Sequence, residues 1–195
     1  MRFIGVYDYT VILTYLSLCS AVFGMSRALQ GEFGLAIICL AVSGICDAFD
    51  GMVARTKKDR TEDEKAFGIQ LDSLCDVVCF GFFPAFLCYR MGADSPIGMA
   101  VVMIYCLCAV IRLAYFNVLE AKRQQSENGC GKFFRGLPVT SAAIVFPIVY
   151  LFRFLVLEII FKVLMQVVLF VMAFLFILDF KVPKIDWGKV IFRKA

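Results

Sequence analysis

A succession of long apolar runs, separated by short charged segments, limits what this chain can become. A helical run of about 20 mostly apolar residues matches the thickness of a bilayer core. Apolar residues make up 62% of the 195, and the mean hydropathy is +0.85. That is too apolar for a soluble globule of this size. The expected fold is all-α: a polytopic membrane protein with six transmembrane helices in a single domain, residues 1–195. The helices are expected at about Tyr9–Met25, Phe33–Arg55, Phe67–Tyr89, Pro96–Leu119, Leu137–Phe154 and Ile159–Phe180. The first reads as a retained helix, since no small-residue cleavage site follows it. Pro84 is expected to kink the third. The mixed-charge segment TKKDRTEDEKAF reads as a solvated, partly helical loop.

The 20 Lys and Arg residues test this count. With the N-terminus inside, 15 fall on the inner side, 4 on the outer side, and Arg112 lies within a span. That asymmetry follows the positive-inside rule and puts both termini in the cytoplasm. The chain has no His, which removes His bases and His metal ligands. Acid–base work must then fall to carboxylates, lysines, tyrosines or metal-bound groups. The nine Cys show no paired CxxC and read as reduced thiols in apolar segments. The bilayer is an expected partner, and nucleic acid is not.

Four carboxylates interrupt the apolar pattern at the facing ends of the second and third helices: Asp47, Asp50, Asp72 and Asp76. At ~100° per residue, Asp47, Asp50, Gly51 and Ala54 share one stripe of a helix, and Gly68, Asp72 and Asp76 share a stripe of the next. The short connection makes the two helices antiparallel neighbours, so the stripes can face each other. One carboxylate deep in a bilayer costs ~2.5–3.5 kcal/mol on insertion scales, so four demand a compensating positive charge. The one basic residue at these stripes is Arg55, just beyond one end. Two divalent cations are the better match, because oxygen-only ligands suit Mg²⁺, Mn²⁺ or Ca²⁺. The charge sidedness puts all four aspartates near the cytoplasmic face.

The pattern Asp47-x2-Asp50-Gly51-x2-Ala54-Arg55 followed by Gly68-x3-Asp72-x3-Asp76 resembles the signature of the CDP-alcohol phosphotransferase family of membrane lipid synthases. The connection Thr56–Phe67 is longer than is usual in that family, by an amount that an extra helical turn or a longer loop would absorb. The flanking words FGIQLDSLCDVVCFGFFPA, RLAYFN and GLPVTSAA resemble the members that move a phosphatidyl group from CDP-diacylglycerol to L-serine. The resemblance implies a two-metal site (Mg²⁺ or Mn²⁺) on Asp47, Asp50 and Asp72, completed by Asp76, which also acts as the catalytic base. It also implies a homodimer.

Gly51, Ala54 and Gly68 then read as clearance for the nucleotide of the donor, with close helix packing as the other reading. Arg55 reads either as a partner of the acidic cluster or a phosphate, or as an interfacial Arg. Arg112, far inside a span, needs an anionic partner: a substrate phosphate or the serine carboxylate, or else a structural salt bridge. Arg135 is expected near lipid or substrate phosphates. Asp8, Thr10 and Thr14 are expected either to edge the site or simply to start the first helix. Two alternatives stay open: the same chemistry with glycerol phosphate or inositol phosphate as acceptor, and a divalent-cation transporter.

Overall fold

A computed structural model describes residues 5–54, 56–57, 59–125 and 133–183, with side chains left out at 122–125, 133–135 and 181–183. The first helix, α1 (Ile12–Leu29), follows a 3-10 turn at Tyr9–Val11. Gly31, at φ +80°, turns the chain into α2 (Phe33–Ala54), because that left-handed conformation is cheap for glycine alone. The two helices form an antiparallel hairpin whose seam is small and polar. Ala21, Ala28 and Ala36 are fully buried there. Ser17 donates to the Ser43 carbonyl at 3.1 Å, Ser43 donates to the Ser17 carbonyl at 2.6 Å, and Ser20 donates to the Cys39 carbonyl at 2.9 Å. Small residues let membrane helices approach closely, and hydroxyls then bond across the seam. These bonds set the register that later brings Thr14 opposite Asp50.

The third span is one continuous stack made of three pieces: α3 (Glu62–Asp76), a π-helical turn at Val77–Phe82, and α4 (Phe83–Arg90). The π turn has a local cause. Pro84 has no N–H to give, so the Phe80 carbonyl loses its usual helical donor. Tyr105, fully buried on α5 (Pro96–Gln125), donates its hydroxyl to that carbonyl at 2.7 Å. The expected disturbance at Pro84 is thus a change of helical winding, satisfied from a neighbouring helix.

The chain then passes through β1 (Phe133–Arg135), a 3-10 turn at Val139–Ser141, α6 (Ala142–Leu151), a further 3-10 turn at Phe152–Phe154, α7 (Glu158–Ile177) and β2 (Lys181–Pro183). The strands pair antiparallel, Phe133 with Pro183 and Arg135 with Lys181, and the Gly136 N–H bonds the Phe180 carbonyl at 2.7 Å. The start of the α6 segment and the end of α7 therefore lie side by side, so this pair goes out and comes back.

Among the described residues, five helices are long and apolar enough to cross a membrane: Tyr9–Leu29, Phe33–Ala54, Glu62–Arg90, Pro96–Ala121 and Glu158–Ile177. The fifth span, expected at Leu137–Phe154, is a shorter apolar helix at Val139–Phe154. Tyr105, Phe146 and Phe176 meet at the centre of the bundle, with ring centroids 6.3 and 5.4 Å from Tyr105. Ile12, Leu16, Phe23, Ile38, Phe170 and Phe174 point outward, as lipid-facing side chains of a polytopic helical membrane protein do.

The third span begins at Glu62, five residues before the first apolar position. Thr61 accepts from the Glu64 N–H at 3.2 Å and Glu64 accepts from the Thr61 N–H at 3.0 Å, a complete capping box. The second half of the connection Thr56–Phe67 is therefore helical.

Candidate functional site

Asp47 and Asp50 stand about one turn apart near the end of α2, and Asp72 and Asp76 stand one turn apart at the end of α3. Oxygens of Asp47, Asp50 and Asp72 all lie within 4.8 Å of one another, and all three residues are partly buried. Asp76 joins the group through Asp47, whose carboxylate is within hydrogen-bonding reach; Asp50 meets Asp72 in the same way. Across the α2–α3 seam these carboxylates thus meet other carboxylates. Among the described residues, no Lys or Arg forms an ion pair with any of the four.

One oxygen is left over. Asp72 Oδ1 is buried and has no hydrogen-bond partner. A buried, unpartnered carboxylate oxygen beside three other carboxylates is a costly arrangement, and a cation at that point relieves it. The donor set is all oxygen and all carboxylate, which fits a hard divalent ion.

Neighbouring elements fix these side chains. Thr14 on α1 donates to Asp50 Oδ2 at 3.1 Å. Ser73, buried beside Asp72, donates to Asn117 Oδ1 on α5 at 2.7 Å and ties α3 to the RLAYFN stretch. On the entry side, Asp8 caps the first turn by accepting from the Thr10 N–H at 2.9 Å, and it also accepts the Thr10 hydroxyl. Lys57 Nζ bridges Asp8 at 2.7 Å and Glu64 at 3.2 Å, clasping the N-terminal segment to the start of α3. The Lys57 ammonium and the Thr10 hydroxyl hold the Asp8 carboxyl down at about 2, and the two carboxylates hold Lys57 above its ordinary value.

Two cavities flank the carboxylates, and Asp50, Gly51 and Asp72 line both. The larger, about 370 Å³, takes in all four aspartates with Arg112, Phe116, Pro138 and Thr140. The smaller, about 140 Å³, is lined by Thr10, Thr14, Ala54, Gly68, Arg60 and Lys65. Gly51, Ala54 and Gly68, expected on sequence to leave room beside the carboxylates, therefore share one cavity wall. Thr10 and Thr14 edge the same cavity, while Asp8 caps the first turn.

Arg112 is buried, and its Nε donates to the Leu137 carbonyl at 3.1 Å. It stands between the large cavity and a third one, about 210 Å³, lined by Tyr115 and Asp179. Arg55 and the side chain of Arg135 lie outside the described residues. Thr140 and Arg60 are among the cavity residues not singled out in the sequence. Thr140 sits in the GLPVTSAA word, where its hydroxyl was the available signal. Arg60 sits in the mixed-charge connection, whose density of opposite charges hid it.

A helical membrane bundle with clustered carboxylates between two polar cavities defines the class of protein. A sequence model of the CDP-alcohol phosphatidyltransferase family matches residues 9–178, and the chain belongs to that family. It is similar to a CDP-diacylglycerol–serine O-phosphatidyltransferase of Mycobacterium tuberculosis, 34% identical over 133 residues, 68% of this chain and 45% of that one. An archaetidylserine synthase of Methanothermobacter thermautotrophicus is 35% identical over 144 residues, 73% of this chain and 58% of that one. A CDP-diacylglycerol–serine O-phosphatidyltransferase of Saccharomyces cerevisiae is 36% identical over 113 residues, 56% of this chain and 40% of that one. The chain spans about half the length of the curated relatives it matches.

Proposed function

We propose that this chain transfers a phosphatidyl group from CDP-diacylglycerol to L-serine, giving phosphatidylserine and CMP. The carrying observation is the seam of facing carboxylates with its unpartnered Asp72 oxygen, set between two cavities. Asp47, Asp50 and Asp72 would hold the divalent cations, Mg²⁺ or Mn²⁺, with Asp76 completing the second position. When bound, these ions supply Lewis-acid stabilisation of charge on the diphosphate.

The chain's own residues account for the rest. Gly51, Ala54 and Gly68 keep the smaller cavity open for the nucleotide of the donor, and Arg55, next to Ala54 in the sequence, is the proposed cation for its phosphates. Asp76, facing the larger cavity, takes the proton of the serine hydroxyl as the serine oxygen bonds to the phosphatidyl phosphorus and the bond to CMP breaks. Arg112, on the wall of the larger cavity with the carboxylates, offers a cation for the acceptor's carboxylate or a phosphate, and Arg135 is proposed as a second phosphate-binding cation. Thr14 holds Asp50 in place through its hydroxyl.

The excess of Lys and Arg on the site side of the bundle supports a cytoplasmic active site and cytoplasmic termini. That sidedness suits a water-soluble nucleotide and amino acid. The unit of function in this reading is one transmembrane domain, residues 1–195, paired as a homodimer. The mass of the detergent-solubilised particle checks the pairing.

The reading is tested by CMP release from the purified chain with CDP-diacylglycerol and Mn²⁺ or Mg²⁺. L-serine, glycerol 3-phosphate and inositol phosphate are supplied separately. Metal-dependent release with serine alone is expected. Release with another acceptor would discard the serine assignment, and no release with any of them would discard the reaction.

A further inference from the structure

Arg60 lies in the connection between α2 and α3, within the stretch that makes this connection longer than the family pattern. Its side chain turns back into the smaller cavity beside the carboxylates. One guanidinium nitrogen, Nη2, donates to the Glu64 carbonyl at 3.2 Å, which anchors the head group to the first turn of α3. Another, Nε, is buried and makes no hydrogen bond. Arg60 forms no salt bridge among the described residues.

Gly68 explains how the guanidinium reaches this position. A Cβ there would sit 2.7 Å from Arg60 Nη2, so a glycine on the facing turn leaves the space that Arg60 uses. The other basic residue on the cavity, Lys65, is half exposed and already paired with Glu62 at 2.7 Å. The cavity therefore holds both carboxylates and a guanidinium that forms no ion pair among the described residues. A diphosphate carrying divalent cations needs both: metal ligands for some of its oxygens and a cation for the rest. A planar guanidinium is the side chain best matched to phosphate oxygens.

We infer that Arg60 is a donor-specificity residue that binds the diphosphate of the CDP substrate in the cavity it shares with Asp50 and Asp72, with Gly68 as the clearance that admits it. This rests on the reading of the smaller cavity as the donor site. The segment that departs from the family pattern thus contributes a substrate contact. Lys57, bridging Asp8 and Glu64, is the positioning residue that holds the connection over the cavity.

The test uses the full chain in detergent with Mn²⁺ present. Arg60→Gln keeps a donor for the Glu64 carbonyl and removes the charge; Arg60→Lys restores a cation without the planar fork. Three readouts are taken: the affinity for CDP, the affinity for Mn²⁺ alone, and KM for CDP-diacylglycerol and for L-serine separately. Arg60→Gln is expected to weaken CDP binding and raise KM for CDP-diacylglycerol by about tenfold, the loss of one charge-assisted contact. Its KM for serine and its Mn²⁺ affinity should hold, and Arg60→Lys should recover part of the loss. CDP affinity equal to wild type in Arg60→Gln, or no CDP binding by the wild type, overturns the inference. If the wild type binds CDP through Arg60 but releases no CMP with serine, the acceptor reading fails and the role of Arg60 stands.

Discussion

At one end of the bundle Lys162 pairs with Glu158 at 2.8 Å, Arg27 with Glu32 at 3.5 Å, and Arg90 donates to the Leu29 carbonyl at 3.2 Å. At the other end Asp47 faces Asp76 and Asp50 faces Asp72, and no cation of the described chain pairs with them. Both ends carry charge at the edge of an apolar slab, yet only one neutralises it internally. At the first end these charges meet partners within the chain. At the second the carboxylates meet one another, an arrangement that a bound cation would relieve. The comparison separates charge that serves solvation from charge that is held unpaired against a cost.

The contrast is broken most severely at Asp76. Asp76→Asn keeps the shape and removes the proton acceptor, so turnover should fall by ~10²–10⁴-fold in a CMP-release assay, with the particle still folded. Near-wild-type turnover would remove Asp76 from the chemistry. A purely structural change comes next. A Cβ at Gly44 would lie 2.3 Å from Ala143 Cβ, where α2 crosses α6. Gly44→Leu should therefore lower the thermal midpoint in detergent, by an overpacking cost of about 1–3 kcal/mol.

The N-terminal clasp sharpens the comparison, because at the site end it pairs opposite charges close to carboxylates that have no such partner among the described residues. Asp8 titrates at about 2 when folded, below its ordinary 3.8, so its stabilisation is present above that ordinary value and is lost as pH falls towards 2. Lys57 is raised above 10.5, so its share is present below that value and is lost at still higher pH. The clasp should hold throughout the range between. The carboxyl chemical shift of Asp8 should titrate near 2, and Lys57→Met should return it towards 3.8. The smallest effect belongs to the far end. Glu158 and Lys162 are exposed, so Glu158→Ala should change stability by ~0–1 kcal/mol and leave CMP release unchanged.

Much of the site was legible because acidic residues are so expensive in apolar segments that their spacing alone fixes which helix faces meet. Asp47, Asp50, Asp72 and Asp76 come together as the stripes required, and Gly51, Ala54 and Gly68 share the cavity beside them. The start of the third span was misjudged because hydrophobicity rises only at Phe67, whereas the helix begins on a polar capping box at Thr61 and Glu64. Thr-x-x-Glu was visible in the sequence, but its neighbours Lys, Asp and Arg made the stretch read as a solvated loop. Arg60 was hidden for the same reason. Nothing in a mixed-charge run says which residue folds back, and that depends on the space left at Gly68. Pro84 marked the disturbance at Val77–Phe82 in the sequence, but the Tyr105 hydroxyl that satisfies the freed Phe80 carbonyl comes from a distant helix and leaves no local mark.

The central claim is that the facing carboxylates form a divalent-cation site. It is tested most directly by counting Mn²⁺ bound to the purified chain by electron paramagnetic resonance, without substrate, in the wild type and in Asp72→Asn. The account predicts bound Mn²⁺ in the wild type and a loss of at least one ion, or about tenfold or more in affinity, in the variant. Wild-type protein that binds no Mn²⁺ or Mg²⁺, or a variant that binds them as well as the wild type, would contradict it.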